Sequence, residues 1–89
     1  MRYDVLCLIE DKLKRINHAL EVSVMEMKNG IIQSQTYLAG NQFEKAKKTT
    51  DDCINITSRT RNNIGHAINY IEELKMIIEE YSKYAYSEG

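Results

Sequence analysis

Two cysteines and two histidines are the residues of this chain that could bind a transition metal or form a disulfide. Cys7, His18, Cys53 and His66 lie far apart along the sequence. A structural zinc site needs four ligands, which usually come in closely spaced pairs, and no Cys, His, Asp or Glu pair here has such spacing. We therefore predict no metal site and no cofactor, and we interpret both histidines as ordinary, partly exposed side chains.

The sequence also lacks the motifs that are typical of catalytic sites. The sequence contains no glycine-rich phosphate loop and no nucleophile accompanied by a base and an orienting group. Two long helices would also leave no room for a cleft. We predict that the protein has no catalytic residues and is not an enzyme.

Charge and hydropathy exclude two further classes. The 89 residues carry a net charge of −1, with both signs interspersed, and the only basic cluster is a short one at Lys45, Lys47 and Lys48. A nucleic-acid-binding surface would need a basic face, so none is expected. The longest apolar run near the start, Val5 to Ile9, is too short for a signal-peptide core or a membrane span. We expect a cytoplasmic chain, or one exported by a route that needs no signal peptide.

The second half of the chain has a heptad pattern. Apolar and small residues alternate spacings of three and four without a slip at Phe43, Ala46, Thr50, Cys53, Thr57, Thr60, Ile64, Ala67, Ile71, Leu74, Ile78, Tyr81 and Ala85. This repeat predicts one helix, over about residues 42–85, with a single buried seam. Cys53 is thereby predicted to be a small core residue.

The first half follows the same pattern, with one irregularity. Leu6, Ile9, Leu13, Ile16, Leu20, Val24, Met27, Ile31, Ser34 and Leu38 include two successive steps of four. Such a step unwinds a supercoil locally without ending the helix. Asn29-Gly30 also favours a turn, but the seam continues on both sides of it. We therefore predict one helix over about residues 3–38.

A stop-and-restart signal separates the two patterns at Thr36–Glu44. Gly40 suits the left-handed position just after a helix, and Asn41 suits an N-cap whose amide Glu44 could reach. A turn at residues 39–41 that follows Leu38 is short enough to make the helices antiparallel neighbours. The fold class is therefore all-α, a single-domain antiparallel helical hairpin.

The hairpin has more apolar surface than its two helices can cover. Beside the main seam of the second helix lie further large apolar residues, and those expected to bind a partner are Ile56, Ile68, Tyr70, Ile77 and Tyr81. A stripe this wide is typical of a helix with more than one neighbour. We predict a four-helix bundle formed with a second chain, either identical or different.

The same hairpin separates the two cysteines. Cys7 and Cys53 would lie about 27 Å apart along the helix axis, whereas a disulfide needs Cα atoms within about 7 Å. An intrachain disulfide is therefore excluded. Cys7, near a terminus, could still form an intermolecular one.

Two short motifs give the chain a resemblance to a known family. Leu38-Ala39-Gly40 stands at the predicted turn, and Tyr84 and Glu88 form a Tyr-x-x-x-Glu pattern at the end. With the length and the hairpin architecture, this resembles the WXG (ESAT-like) family of type VII secretion, with a leucine in place of the family's tryptophan. The resemblance implies a divergent member, similar to the small helical partners of LXG toxins.

What this resemblance implies is assembly and export. The protein would bind a helical partner, such as an LXG-type toxin domain or a WXG-like chain, and Tyr84 and Glu88 would form part of a C-terminal export signal. A tyrosine and a carboxylate four residues apart share one helix face, which a receptor could read. The alternative from another class is a cytosolic homodimeric adaptor or antitoxin-like regulator, which the two free cysteines fit slightly better.

Overall fold

The computed structural model describes residues 2–88, and describes side chains for residues 2–84. It has two helices, α1 (Tyr3–Ser34) and α2 (Gly40–Glu88), and they pack against each other. The predicted all-α antiparallel hairpin is confirmed. The molecule measures 74 × 15 × 14 Å, and 49 residues at about 1.5 Å each account for the long dimension with α2 alone.

Helix α1 begins after Arg2, whose extended backbone directs the chain into the helix. The Arg2 guanidinium forms an ion pair with Asp4 at 2.6 Å, and Asp4 places a negative charge in the first turn, where the helix dipole favours it. The helix then continues without a break through Asn29 and Gly30. The prediction of one helix across this dipeptide is therefore confirmed.

The connection covers residues 35–39 and starts earlier than the sequence predicts. The amides of Tyr37 and Leu38 donate to the Ser34 carbonyl at 3.1 and 3.0 Å, and this tight turn ends α1 about four residues before the predicted boundary. Helix α2 correspondingly begins at Gly40, and its first intrahelical bond runs from the Phe43 amide to the Ala39 carbonyl at 2.8 Å.

Two details of the predicted turn are therefore wrong. Gly40 is the first residue of α2 and does not have a positive φ, so it is not a left-handed C-cap. Asn41 lies inside the first turn of α2, and Ala39 occupies the N-cap position predicted for Asn41. The physical reason is the early end of α1, because the tight turn at Ser34 leaves room for α2 to start before Asn41.

Burial is shallow along the hairpin. Among the described side chains only Leu6, Ile68 and Ile71 are at least nine-tenths covered. Each helix has one neighbour, so it can cover only one stripe of its surface. Along residues 2–88, neither helix has an apolar stretch of the length that crossing a bilayer requires.

Candidate interaction surface

On α1 the seam between the helices differs from the predicted heptad at two positions, each of which is shifted by one residue. The α1 seam consists of the covered or half-covered residues Leu6, Glu10, Leu13, Asn17, Leu20, Val24, Met27, Ile31, Ser34 and, beyond the helix, Leu38; Cys7, beside it, is also half-covered. Glu10 and Asn17 replace the predicted Ile9 and Ile16, which are 41% and 50% exposed. The alternation of four and three is then unbroken, so the irregularity predicted near Leu20 is absent.

Helix α2 shows the same shift at alternate seam positions. Ile54 and Arg61 occupy the seam, whereas Cys53 and Thr60, which the heptad placed there, are exposed. The prediction that Cys53 is a core residue is therefore wrong. Both cysteines are free, and Cys7 is half-buried.

Polar side chains in and beside the seam join the two helices. The Lys75 ammonium donates to the Glu10 carboxylate at 3.0 Å, and the side chains of these two residues are only 20% and 12% exposed. The Arg61 guanidinium donates to the Asn17 side-chain oxygen at 3.3 Å and to Glu21 at 3.2 Å. A polar pair at a seam position fixes which residues of two helices face each other. These contacts therefore fix the register of the hairpin.

Two further contacts extend the same edge of the hairpin. Lys14 lies 3.7 Å from Glu72, and the Tyr3 hydroxyl donates to Glu79 at 2.7 Å. The Lys75 ammonium lies 5.4 Å from the centre of the Tyr3 ring, within the range of a cation–π contact. We call this edge, with the Glu10, Asn17 and Arg61 contacts, the polar edge.

The polar edge shifts the titration of its members. The hydrogen bond from Lys75 lowers the pKa of Glu10, and the same bond raises the pKa of Lys75. The hydrogen bond to Glu79 raises the pKa of Tyr3. Near neutral pH, each of these groups therefore remains in the protonation state that its contact requires.

The opposite edge of the hairpin is apolar and exposed. In an antiparallel pair of helices, the same flank of each heptad lies on the same side of the pair. Because Lys14 and Glu72 lie on the polar edge, the other flanks of both helices share the second side. We call that side the apolar face, and its residues are the exposed Val5, Ile9, Ile16, Tyr70, Ile77 and Tyr81 and the half-buried Ala67 and Leu74.

Exposure measurements agree with this assignment. On α1, Val5, Ile9 and Ile16 are between 40% and 50% exposed, and on α2 Ile77 and Tyr81 are 51% and 74% exposed. On α2 the positions Cys53, Ile56, Thr60, Asn63, Ala67, Tyr70, Leu74, Ile77, Tyr81 and Tyr84 alternate three and four without a slip. This is a second heptad stripe beside the seam.

Four of the five predicted partner-binding residues lie on this second stripe. Ile56, Tyr70, Ile77 and Tyr81 are all more than half exposed. Ile68 is only 9% exposed because it lies in the seam of the hairpin, so it is not available to a partner. Ile9 and Ile16, predicted to lie in the seam, instead lie on the surface. The seam contains the charged Glu10 where the apolar pattern favours Ile9, so the pattern alone indicates the wrong residue.

No other part of the described molecule offers a more specific site. A shallow polar groove beside Gly65 is lined by Asn17, Ser58, Arg61, Asn62, His66 and Asn69. The Arg61 guanidinium already donates hydrogen bonds to Asn17 and Glu21, so it is not free to bind a ligand at the centre of the groove. Among the described residues, no group of three or more His, Cys, Asp and Glu is placed to hold a metal ion.

Comparison of the chain with protein-family models, with curated proteins and with solved structures found no match. The features of the molecule that bear on its function are therefore the two edges of the hairpin.

Proposed function

We propose that this protein is a non-enzymatic helical interaction protein. Its apolar face binds two helices of another chain and so completes a four-helix bundle. The observation that carries this proposal is the second stripe of α2, which runs beside the seam and shares its side with Ile9 and Ile16. A stripe that continues for several heptads is a helix-packing surface, whereas scattered exposed apolar residues need no explanation.

The total exposed surface supports the same proposal. The chain exposes 7113 Å², whereas a compact monomer of this mass would expose about 5,400 Å². The excess of about 1,700 Å² exceeds the roughly 800 Å² that each partner covers in a protein–protein interface of standard size. The hairpin therefore has ample surface for a stable interface.

A single substitution on the apolar face tests this proposal. Ile77→Asp places a charge at the centre of the face, and it should abolish binding to the partner while helicity changes little, because the side chain is already half exposed. Binding is measured by co-purification from the native host, and helicity by circular dichroism.

Met76→Asp is the matched control. Met76 is the neighbouring residue and is 61% exposed, but the helical rotation of about 100° per residue places it off the apolar face. It should leave binding intact. Equal binding by both variants, or equal loss, would show that the apolar face is not the binding surface.

For the biological role, we propose the type VII export that the resemblance implies. The hairpin would then accompany a helical secreted protein, such as an LXG-type toxin domain, and contribute the signal at Tyr84 and Glu88. Tyr84 is 71% exposed and α2 continues to Glu88, so both residues stand on one continuous helix. The Glu88 side chain lies outside the described side chains.

The export proposal predicts a separation of binding from secretion. Tyr84→Ala should remove the protein from the culture supernatant while the complex with its partner stays intact. Tyr37→Ala, which removes an 84% exposed tyrosine at the turn, is the control and should be secreted normally. Normal secretion of the Tyr84→Ala protein would disprove the signal.

A second candidate is a cytosolic homodimeric adaptor or antitoxin-like regulator. The exposed, free Cys53 favours it, because exposed thiols persist in reducing compartments. Fractionation of the native host separates the two candidates, since an adaptor of this kind would stay with the cells.

A further inference from the structure

The residues with which α2 covers α1 change in character along the hairpin. We call residues 3–21 of α1 and 61–79 of α2 the terminal half, and residues 22–34 and 40–60 the turn half. In the terminal half the covered or half-covered residues of α2 are Arg61, Ile64, Gly65, Ala67, Ile68, Ile71, Leu74, Lys75 and Ile78. In the turn half they are Phe43, Ala46, Thr50, Asp51, Ile54 and Thr57. Large apolar side chains therefore dominate the first set, whereas small and polar ones dominate the second.

Helix α1 has apolar seam residues in the turn half that α2 covers poorly. Val24, Met27 and Ile31 all lie in the seam there, and all three stay only half-buried. The side chains that are at least nine-tenths covered, Leu6, Ile68 and Ile71, all belong to the terminal half. The turn half therefore gains less from burial than the terminal half does.

Polar contacts between the helices have the same distribution. Among the described side chains, the hydrogen bonds and ion pairs that join the helices are Tyr3 with Glu79, Glu10 with Lys75, Lys14 with Glu72, and Arg61 with Asn17 and Glu21. Every one of them lies in the terminal half. In the turn half, Thr57 and Lys47 bond to residues of their own helix. The turn half is thus held closed by a half-buried seam and by the connection at residues 35–39.

We infer that the turn half opens as a unit while the terminal half stays closed. A segment with few buried apolar contacts and no cross-links opens at a lower free energy than the whole fold. The opening would uncover the α1 seam beside Val22, Met25 and Ile32, which are already 40%, 58% and 65% exposed. The turn half of α1 would then show apolar side chains around more than half of its circumference. Such a helix needs cover, so the closed state remains the major one.

Hydrogen exchange of the wild-type chain tests this opening without any substitution. Amides inside the turn half of both helices should exchange at least about tenfold faster than those inside the terminal half. Low denaturant should hardly change the turn-half rates, because a local opening exposes little surface, whereas it should accelerate exchange in the terminal half. Equal protection of the two halves would overturn the inference.

Two matched cysteine variants test whether the seam itself is uncovered. Leu13 and Met27 are half-buried seam residues of α1, two heptads apart, with one in each half. In a chain that also carries Cys7→Ser and Cys53→Ser, Met27→Cys should react with a thiol reagent about tenfold faster than Leu13→Cys. Dividing each rate by its value in full denaturant removes differences in intrinsic reactivity. Equal ratios would mean that the helices do not separate in the turn half.

The cause of the opening is tested at Thr57. Thr57 is half-buried in the seam and Thr60 is exposed, and both hydroxyls donate to a carbonyl four residues earlier. Thr57→Ile adds apolar surface to the seam and should slow exchange in the turn half about fivefold. Thr60→Ile makes the same change in helix propensity outside the seam, so its rates should match the wild type. An equal effect of the two variants would overturn the assignment of the opening to the α2 seam.

The opening and the proposed function can fail separately, because these experiments use the chain alone. If the two halves are equally protected, the opening is overturned and the binding role of the apolar face is untouched. If Ile77→Asp and Met76→Asp bind the partner equally well, the proposed function is overturned, and faster exchange in the turn half still supports the opening.

Discussion

The two halves of the hairpin differ in what holds the helices together. In the terminal half, where residues 3–21 of α1 face residues 61–79 of α2, lie the three most buried side chains, Leu6, Ile68 and Ile71. The same half contains the ion pairs that join the helices, such as Glu10 with Lys75. The turn half, residues 22–34 and 40–60, has neither feature among its described side chains.

Polar groups in the turn half bond within their own helix. The hydroxyls of Thr57 and Thr60 donate to carbonyls four residues earlier, at 2.8 and 3.0 Å, and Lys47 pairs with Asp51 at 3.2 Å. Bonds of this kind do not hold one helix against another. The register and the interaction surface are therefore both concentrated in the terminal half, and the turn half acts mainly as a connection.

The largest expected contrast comes from the seam. Ile71→Ala removes a side chain that is only 8% exposed, and it should cost about 2–4 kcal/mol of the free energy of unfolding. Ile54→Ala, at a half-buried seam position of the turn half, should cost about half as much. Chemical denaturation at one protein concentration measures both. Equal costs would remove the distinction between the halves.

A smaller effect is expected from the polar edge, and it depends on pH. In the folded state, the hydrogen bond from Lys75 lowers the pKa of Glu10. The Glu10–Lys75 contact therefore stabilises the fold above the ordinary Glu10 pKa of 4.5, and this stabilisation is lost as the pH falls through the lowered value. Glu10→Gln should therefore lower the melting temperature at pH 7. The difference from wild type should disappear in strong acid.

Asp11→Asn is the control for this experiment. Asp11 pairs with Arg15 on the surface of α1 at 3.0 Å, with side-chain exposures of 55% and 80%. Exposed pairs of this kind contribute little, so the variant should melt close to wild type at either pH. An Asp11→Asn variant that loses as much as Glu10→Gln would mean that charge alone, and not the cross-helix contact, sets the effect.

The smallest expected effect is a gain in the turn half. Gly30 lies inside α1 and does not have a positive φ, and a Cβ added there would meet no atom within 4 Å apart from the neighbouring stretch of its own helix. Gly30→Ala should therefore raise the free energy of unfolding by about 0.5–1 kcal/mol, through a better helix propensity and a less flexible unfolded chain. A loss of stability on denaturation would mean that the helix bends at Asn29-Gly30.

Much of the fold could be predicted from the sequence because it depends on local pattern. The heptads of both halves, the lack of proline and the signal near Gly40 determine two long helices and one reversal. The same pattern placed Ile56, Tyr70, Ile77 and Tyr81 on an exposed stripe. It could not place Ile68 or Cys53, because a shift of one residue along a heptad exchanges seam and surface.

Tertiary structure decided that shift. The apolar periodicity is strongest on a stripe that contains Ile9 and Ile16, so the sequence alone favours a seam there. In the folded chain, Glu10 and Asn17 enter the seam because Lys75 and Arg61 come from the other helix to meet them. A charged residue can be covered when its counter-charge is opposite, and only the packed pair of helices brings the two together.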